Sequence, residues 1–203
     1  LDTLWTRTFG GQVVDRGSSI QQTIDGGFII AGYTESFGNG WTDIYLIKTD
    51  SMGNEEWNKF YGGVGNDRGQ QIIKTNDKGY AIVGWTSSAG GGEYFAWLLK
   101  TNSDGDTTWT KTYDGLGYSI LQLENGGYVF TGEVYGIDSY GNGAGISSFT
   151  KIDENGDSLL TKSYSIGYGS IGFSIESVND SIFYIGGKVA VNMAGETDKV
   201  FLM

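Results

Sequence analysis

The 203-residue chain contains no cysteine, no histidine and no proline. The lack of cysteine excludes disulfide bonds, thiol nucleophiles and thiolate metal sites. Without histidine, the chain can form neither a Ser-His-Asp triad nor a histidine-ligated zinc or haem site. Long apolar runs are also missing, since none approaches the ~18–20 residues that a membrane-spanning helix needs.

Positive charge is scarce as well: 13 lysines and arginines face 24 acidic residues, which gives a formal net charge of −11. A chain this acidic is not expected to bind nucleic acid, because it cannot neutralise a row of phosphates. Glycine is abundant instead, with 35 residues, and aromatic residues make up 14% of the chain. Because the glycines follow no collagen triplet and the aromatic content is high, the composition indicates a loop-rich, β-rich globular domain.

Four short segments recur four times, at steps of 51 or 52 residues. One type is marked by a tryptophan, at Trp5, Trp57 and Trp109, which becomes Leu160 in the last copy. The segments are rich in β-branched and aromatic residues and are bounded by Gly, Asn and Asp clusters, as is typical of strands. About 50 residues per four-stranded unit is typical of a propeller blade. We therefore predict one all-β domain, a four-bladed β-propeller with blades at 15–62, 67–114, 117–165 and 172–203 plus 1–10.

Tight turns are predicted between the first and second strands of each unit. The sequences Asp25-Gly26-Gly27 and Asp77-Lys78-Gly79 occupy these places. Hairpin turns of this composition need residues with positive φ.

The two ends of the chain favour closure of the propeller. Leu4–Phe9 has the sequence of a fourth strand, and Val200–Met203 has that of a third strand. Pairing them would complete the last blade and remove a free sheet edge. The alternative is that the four blades belong to a larger ring or to an oligomeric assembly.

Two motifs run through the first copies. Residues 10–34 read Gly-Gly-x₃-Asp-x-Gly-x-Ser-Ile-x-x-Thr-x-Asp-Gly-Gly-Phe-Ile-Ile-Ala-Gly-Tyr-Thr, and residues 43–57 read Asp-x-Tyr-Leu-Ile-Lys-Thr-Asp-Ser-x-Gly-Asn-x-x-Trp. With these motifs the chain resembles a bacterial and archaeal family of secreted β-propeller repeats, the SBBP-type repeats of large surface proteins, often from Bacteroidota. The resemblance implies an extracellular or cell-surface location and further domains of a longer protein as partners. It assigns no activity.

The turn after the third strand invites comparison with a calcium site. Asn102, Asp104 and Asp106 alternate as oxygen ligands would. The spacing departs from an EF-hand loop, since Gly105 precedes the last acid and Tyr113 stands at the twelfth position. A capped hairpin is the simpler interpretation, with calcium as the alternative.

Polar residues that recur in the copies are expected to have structural roles, because an active site rarely repeats around a ring. Asp15 and Asp67 would join neighbouring blades. The recurring tryptophans would pack between blades, flanked by Lys48, Lys100 and Lys151.

Function is better sought where the copies differ, in the loops between second and third strands at residues 35–42, 87–94, 134–146 and 189–197. Loops on a rigid scaffold often carry binding residues. Aromatic rings beside carboxylates and amides suit sugars, whose apolar faces stack. The candidate ligand-binding residues are Trp41, Asp43, Tyr94, Tyr135, Asp138, Tyr140 and Asn142. In the alternative interpretation, the loops cover blade ends or contact partner domains.

A hydrolase is the competing hypothesis. Propeller hydrolases can work with two carboxylates about 5–9.5 Å apart, but no candidate lies in a motif that distinguishes it. The candidates are Glu35, Asp43, Glu93, Glu133, Asp138 and Glu196. We therefore predict a non-catalytic extracellular or cell-surface scaffold or recognition module, for adhesion, surface assembly or contact with a glycan or surface protein, with no cofactor unless calcium binds.

Overall fold

The computed structural model describes residues 2–191 and 198–203. Regular structure in these residues consists of strands alone, which confirms the all-β class. The strands are β1 (Asp15–Gln22), β2 (Phe28–Thr34), β3 (Asp43–Thr49), β4 (Glu55–Tyr61), β5 (Asp67–Lys74), β6 (Tyr80–Thr86), β7 (Phe95–Thr101), β8 (Thr107–Asp114), β9 (Leu116–Gln122), β10 (Tyr128–Ile137), β11 (Gly143–Ile152), β12 (Ser158–Tyr164), β13 (Ser170–Asn179), β14 (Ile182–Ala190) and β15 (Asp198–Leu202).

The strands form four antiparallel sheets, and each sheet joins strands that are consecutive in sequence. Sheet 1 holds β1–β4, sheet 2 holds β5–β8, sheet 3 holds β9–β12 and sheet 4 holds β13–β15. All four share a shift in register between the first and second strands, as between Gly17 and Ser19 or Gly69 and Gln71. This common irregularity aligns the four sheets residue by residue.

The first hairpins of sheets 1 and 2 have the turns that the sequence predicts. In sheet 1, the Asp25 carboxylate accepts a 3.0 Å hydrogen bond from the Gly27 amide, and Gly26 has a φ of +84°. In sheet 2, the corresponding residue is Lys78, with a φ of +69°. Positive φ at these positions lets each hairpin close over three residues: the Thr23 amide donates to the Gly27 carbonyl and the Gly26 amide donates to the Thr23 carbonyl.

The apolar core lies between successive sheets. Ile29 and Leu46 of sheet 1 pack with Ile72 and Ile82 of sheet 2, and all four side chains are fully buried. Similar clusters join sheet 2 to sheet 3 and sheet 3 to sheet 4. Because the middle strands are covered on both faces, their sequences are almost continuously apolar.

The recurring tryptophans pack between sheets, as the sequence predicts. Trp57 of sheet 1 lies against Gly105 in the last turn of sheet 2, and Trp109 of sheet 2 lies against Gly156 of sheet 3. Each glycine has a positive φ, +78° and +82°. The turns thus present backbone without a side chain to the indole rings.

The predicted pairing of the chain ends is wrong. Residues 2–10 form no strand, and β15 is hydrogen-bonded to β14 alone within the described residues, so sheet 4 has three strands. The N-terminal segment lies on sheet 1 instead. There the Trp5 ring meets Phe28 edge-on at 6.0 Å between centroids, and Arg7 donates to Asn54. In the described part of the chain, no extended packing joins sheet 4 to sheet 1.

Candidate functional site

The loops between second and third strands lie at one end of sheets 1 to 3. They span residues 35–42, 87–94 and 138–142. The third is shorter than the predicted 134–146, because β10 and β11 continue as a paired hairpin up to Ile137 and Gly143. The fourth predicted loop, 189–197, begins within β14 and otherwise falls largely outside the described residues.

The four aromatic candidates, three of them in these loops and Tyr135 in β10, are exposed to solvent. Trp41 and Tyr135 are 77% and 83% exposed, and Tyr94 and Tyr140 are exposed over half their surface or more. None of the four has a ring contact with another of the four within the described residues. They are therefore four separate exposed aromatic side chains and not one continuous aromatic surface.

Two of these rings have aromatic supports that fix their orientation. Tyr140 stacks on Tyr168 at 4.0 Å between centroids and an interplanar angle of 19°. Tyr94 stands at 87° to Trp85, with 5.1 Å between centroids. The sequence analysis missed Tyr168, which lies in the connection between sheets 3 and 4 and matches no repeat position.

The Asp43 carboxylate holds its own loop in place. The side chain is buried, and one of its oxygens accepts hydrogen bonds from the amides of Asn39 and Gly40, at 2.8 and 3.2 Å. The Trp41 amide donates to the carbonyl of Gly65, 3.0 Å away, which ties the loop to the next connection. Asp43 therefore positions Trp41. These hydrogen bonds explain why an aspartate stands at this point of the sequence.

Asp138 and Asn142 close the hairpin of the third loop. The buried Asp138 carboxylate accepts 2.8 Å hydrogen bonds from the amides of Tyr140 and Asn142. Burial acts to raise the pKa of Asp138, but these hydrogen bonds outweigh it and leave that pKa below its ordinary value. The pair thus supports Tyr140 from beneath, while the tyrosine ring stays exposed.

The calcium candidates form a capped hairpin. The Asn102 side-chain oxygen accepts hydrogen bonds from the amides of Asp104 and Asp106, at 2.9 and 2.8 Å. The Asp106 carboxylate pairs with Lys59 of the preceding sheet, which holds the pKa of Asp106 below its ordinary value. The residues described contain no group of three or more acidic side chains able to hold a metal ion.

One catalytic candidate, Glu133, has the raised pKa that a general acid needs. Burial raises the pKa of Glu133. The Tyr118 hydroxyl lies 3.5 Å from Oε2 of Glu133. Glu133 lines a cavity of about 180 Å³ with Ser170 and Lys188, and none of the other described residues that line it is a carboxylate. Of the other candidates, Glu35 and Glu93 are exposed, and Glu196 lies outside the described residues.

The repeated aspartates connect strands to nearby loops, whereas the sequence predicts that they join neighbouring blades. Asp67 is fully buried, and its Oδ2 accepts hydrogen bonds from the Gly63 amide at 2.8 Å and the Ser88 hydroxyl at 2.6 Å. The Thr86 hydroxyl donates to its Oδ1. Since Gly63 belongs to the connection from sheet 1, the Asp67 carboxylate fixes this connection to sheet 2. Asp15 of sheet 1 accepts hydrogen bonds from the residues at the equivalent positions, Gly11, Thr34 and Ser36.

The buried lysines act within a sheet rather than between sheets. Lys48 forms ion pairs of 2.8 Å with Asp25 and 2.7 Å with Glu56, both in sheet 1, and its side-chain hydrogen bond holds the pKa of Asp25 well below its ordinary value. Lys100 pairs with Asp77 in the same way. Lys151 differs, since it donates to the Asp180 carbonyl of sheet 4.

No protein-family model and no curated protein sequence matches the chain. In the part of the chain that the structure describes, no helix has the length and apolarity to span a membrane.

Proposed function

We propose that the four sheets are blades of a β-propeller-type scaffold and that the chain is a non-catalytic, extracellular or cell-surface recognition module for glycans. The location follows from the resemblance to secreted surface repeats. The recurrence of one antiparallel unit, each packed on the one before it, supports the propeller arrangement.

The observation that supports a glycan ligand is the exposure of aromatic rings on rigidly supported loops and on the end of β10. Trp41, Tyr135 and Tyr140 are all more than 60% exposed, although large aromatic residues are usually covered. Their loops are braced by buried carboxylates or by continued strand pairing. A preorganised ring costs little entropy when it binds, and its flat face suits the apolar face of a sugar.

The chemistry of the loops favours binding over hydrolysis. Asp43 and Asp138 are occupied by their own loops, and no carboxylate among the described residues joins Glu133 in its cavity. Carboxylate-based glycoside cleavage needs an acid and a second carboxylate about 5–9.5 Å apart.

Isothermal titration calorimetry against a panel of neutral and acidic glycans tests this function. We expect binding that Trp41→Ala or Tyr140→Ala weakens by a few-fold to about tenfold, as the loss of one stacked ring implies. Met52→Ala is the matched control, since Met52 is an exposed apolar residue in a turn at the opposite end of sheet 1. A panel without binding, or an equal effect of Met52→Ala, would overturn the proposal.

A further inference from the structure

A cavity of about 480 Å³ opens between sheets 1 and 2, at the end where the first hairpins turn. Its volume lies in the range of small-molecule pockets, roughly 300–1,000 Å³. The described residues that line it all lie between Thr23 and Asp104. The exposed rings of the variable loops stand at the opposite end of the same sheets, so this cavity is separate from the glycan site proposed above.

The next two junctions between sheets have a hydrogen bond at the equivalent place. The Asn76 amide of sheet 2 donates to Oε1 of Gln122 in sheet 3, at 2.9 Å. The Glu124 amide of sheet 3 donates to Oδ1 of Asp180 in sheet 4, at 3.2 Å. Gln122 also donates to the Tyr128 hydroxyl, at 3.3 Å. In both junctions, the later sheet therefore supplies an oxygen that accepts from a turn amide of the earlier sheet.

The junction of sheets 1 and 2 lacks that oxygen. Lys74 pairs with Tyr80 across the first hairpin of sheet 2. Gln122 pairs with Tyr128 in the same way in sheet 3, so Lys74 takes the place of Gln122. Ile24 holds the position of the donating turn residue, and its amide has no acceptor among the described residues. Since a lysine side chain only donates hydrogen bonds, an acceptor is missing at this junction.

The Tyr80 hydroxyl is a second donor that lacks a partner at this place. The residue is 5% exposed, and its hydroxyl makes no hydrogen bond with any described residue. In the described part of the chain, the fully buried side-chain atoms without a partner are Nε of Arg68 and Oγ of Ser147. The Tyr80 hydroxyl therefore borders open space, and Tyr80 lines the cavity. Burial raises the pKa of Tyr80, so the hydroxyl keeps its proton at neutral pH.

The lysines of the cavity differ in whether a carboxylate already neutralises them. Lys48 has two carboxylate partners, at 2.8 and 2.7 Å. Lys74 and Lys78 also line the cavity, and neither forms an ion pair with a described residue. An anion could therefore pair with Lys74 without displacing an existing partner.

We propose that this cavity binds a small organic carboxylate that carries an apolar or aromatic ring. The ligand's carboxylate supplies the oxygen that Gln122 supplies one junction later. It accepts hydrogen bonds from the Ile24 amide, the Tyr80 hydroxyl and the Lys74 ammonium group. The ring packs against the apolar part of the lining, to which Trp57 and the Ile24 side chain belong. This inference goes beyond the proposed function and does not depend on it.

Isothermal titration calorimetry of the full chain tests the ligand class with three probes: 2-naphthoate, its neutral amide 2-naphthamide, and acetate. We expect saturable binding of one 2-naphthoate. The amide should bind about tenfold more weakly or worse, because hydrogen bonds to a charged group are the stronger ones. Acetate has no ring and should show no saturable binding. Failure of 2-naphthoate to saturate, or equal binding of the amide, would overturn the proposal.

Lys74→Gln places in sheet 2 the residue that closes the next junction. We expect the glutamine to supply the missing oxygen itself, so that 2-naphthoate binds at least about tenfold more weakly while the urea midpoint does not fall. Lys162→Gln is the control, since it removes the same charge from an exposed lysine of β12. Equal weakening by both variants would show an unspecific effect of net charge and overturn the proposal.

Tyr80→Phe removes only the hydroxyl, and Phe28 at the equivalent place in sheet 1 shows that the ring alone fits. We expect 2-naphthoate to bind about three- to tenfold more weakly, with an unchanged urea midpoint. Tyr128→Phe should instead leave binding intact, because the partner of that hydroxyl is Gln122. Wild-type affinity in Tyr80→Phe would overturn the proposal. Loss of binding in Trp41→Ala would overturn it too, since it would place the probe at the loops.

Discussion

The Trp57 ring lies so close to Gly105 that a Cβ atom built on the glycine would stand 2.9 Å from two ring carbons. The same glycine has a φ of +78°. One residue therefore meets two demands, a left-handed turn and an inter-sheet contact. The relation recurs at Trp109 and Gly156, which makes it part of the repeat rather than an accident of one turn.

Gly105→Ala should destabilise the protein more than Gly91→Ala. Gly91 has a similar φ of +72°, but nothing lies within 4 Å of an added Cβ atom. Both variants suffer the backbone strain of a left-handed alanine, and only Gly105→Ala also displaces an indole ring. We expect an additional loss of about 1–3 kcal/mol, the usual cost of overpacking. Urea denaturation measures the difference, and equal midpoints would contradict the role of the ring.

Asp67→Asn should destabilise the protein by about 1–3 kcal/mol, because the new amide group can accept fewer of the hydrogen bonds now donated to the carboxylate. Its donors, the Gly63 amide and the hydroxyls of Ser88 and Thr86, would then compete for one oxygen. Asp15→Asn is the matched control. Asp15 has partners at the equivalent positions but is only half-buried. Water can therefore replace the hydrogen bonds that Asp15→Asn loses. Thermal and urea unfolding should rank the two variants in this order.

Glu133→Gln should stabilise the protein at pH 7 and have less effect at pH 4. Burial raises the pKa of Glu133 in the folded state, so its ionisation favours the unfolded chain. The wild type therefore loses stability as the pH rises through that raised pKa, and the glutamine variant does not. Melting temperatures at several pH values measure the effect, with exposed Glu35→Gln as the control. A stabilisation independent of pH would contradict this account.

Tyrosine ionisation should weaken the fold between about pH 10 and pH 12. Burial raises the pKa of Tyr118 and Tyr128 to about 12, against about 10 for a free phenol. Their contribution to stability is complete below the unfolded pKa and is lost as the pH rises through the folded one. Phenolate absorbance is recorded soon after each of a series of pH jumps. The resulting titration should contain a component at high pH that Tyr128→Phe reduces. The urea-unfolded protein, in which all tyrosines titrate together, serves as the reference.

The strands and their order were predictable from the sequence because their causes are local. Repeated β-branched runs between Gly and Asp turns specify hairpins over two or three residues, and Lys78 and Gly26 have the predicted positive φ. The tryptophan contacts were predictable because they recur. The pairing of residues 4–9 with β15 was predicted wrongly, because it depends on how the rotations between sheets add up along the whole chain.

The candidate site was predictable only in part. Exposure of Trp41, Tyr94 and Tyr140 agrees with their place in variable loops, and Tyr135 is exposed too, although it lies in β10 and not in the predicted loop. The structural roles of Asp43 and Asp138 were not foreseen, although each is preceded or followed by turn residues that a carboxylate can cap. Tyr168 carried no signal, since stacking on Tyr140 arises from the fold and not from the repeat.

Because each sheet packs mainly on its neighbours in sequence, the chain should behave as a short one-dimensional array in which stability accumulates by nearest-neighbour coupling. Inner sheets gain coupling on two sides and outer sheets on one. Fraying would then start at sheets 1 and 4, and amide protons of β6 and β10 would exchange most slowly. This difference in stability between inner and outer sheets would disappear if the row of sheets were closed into a ring.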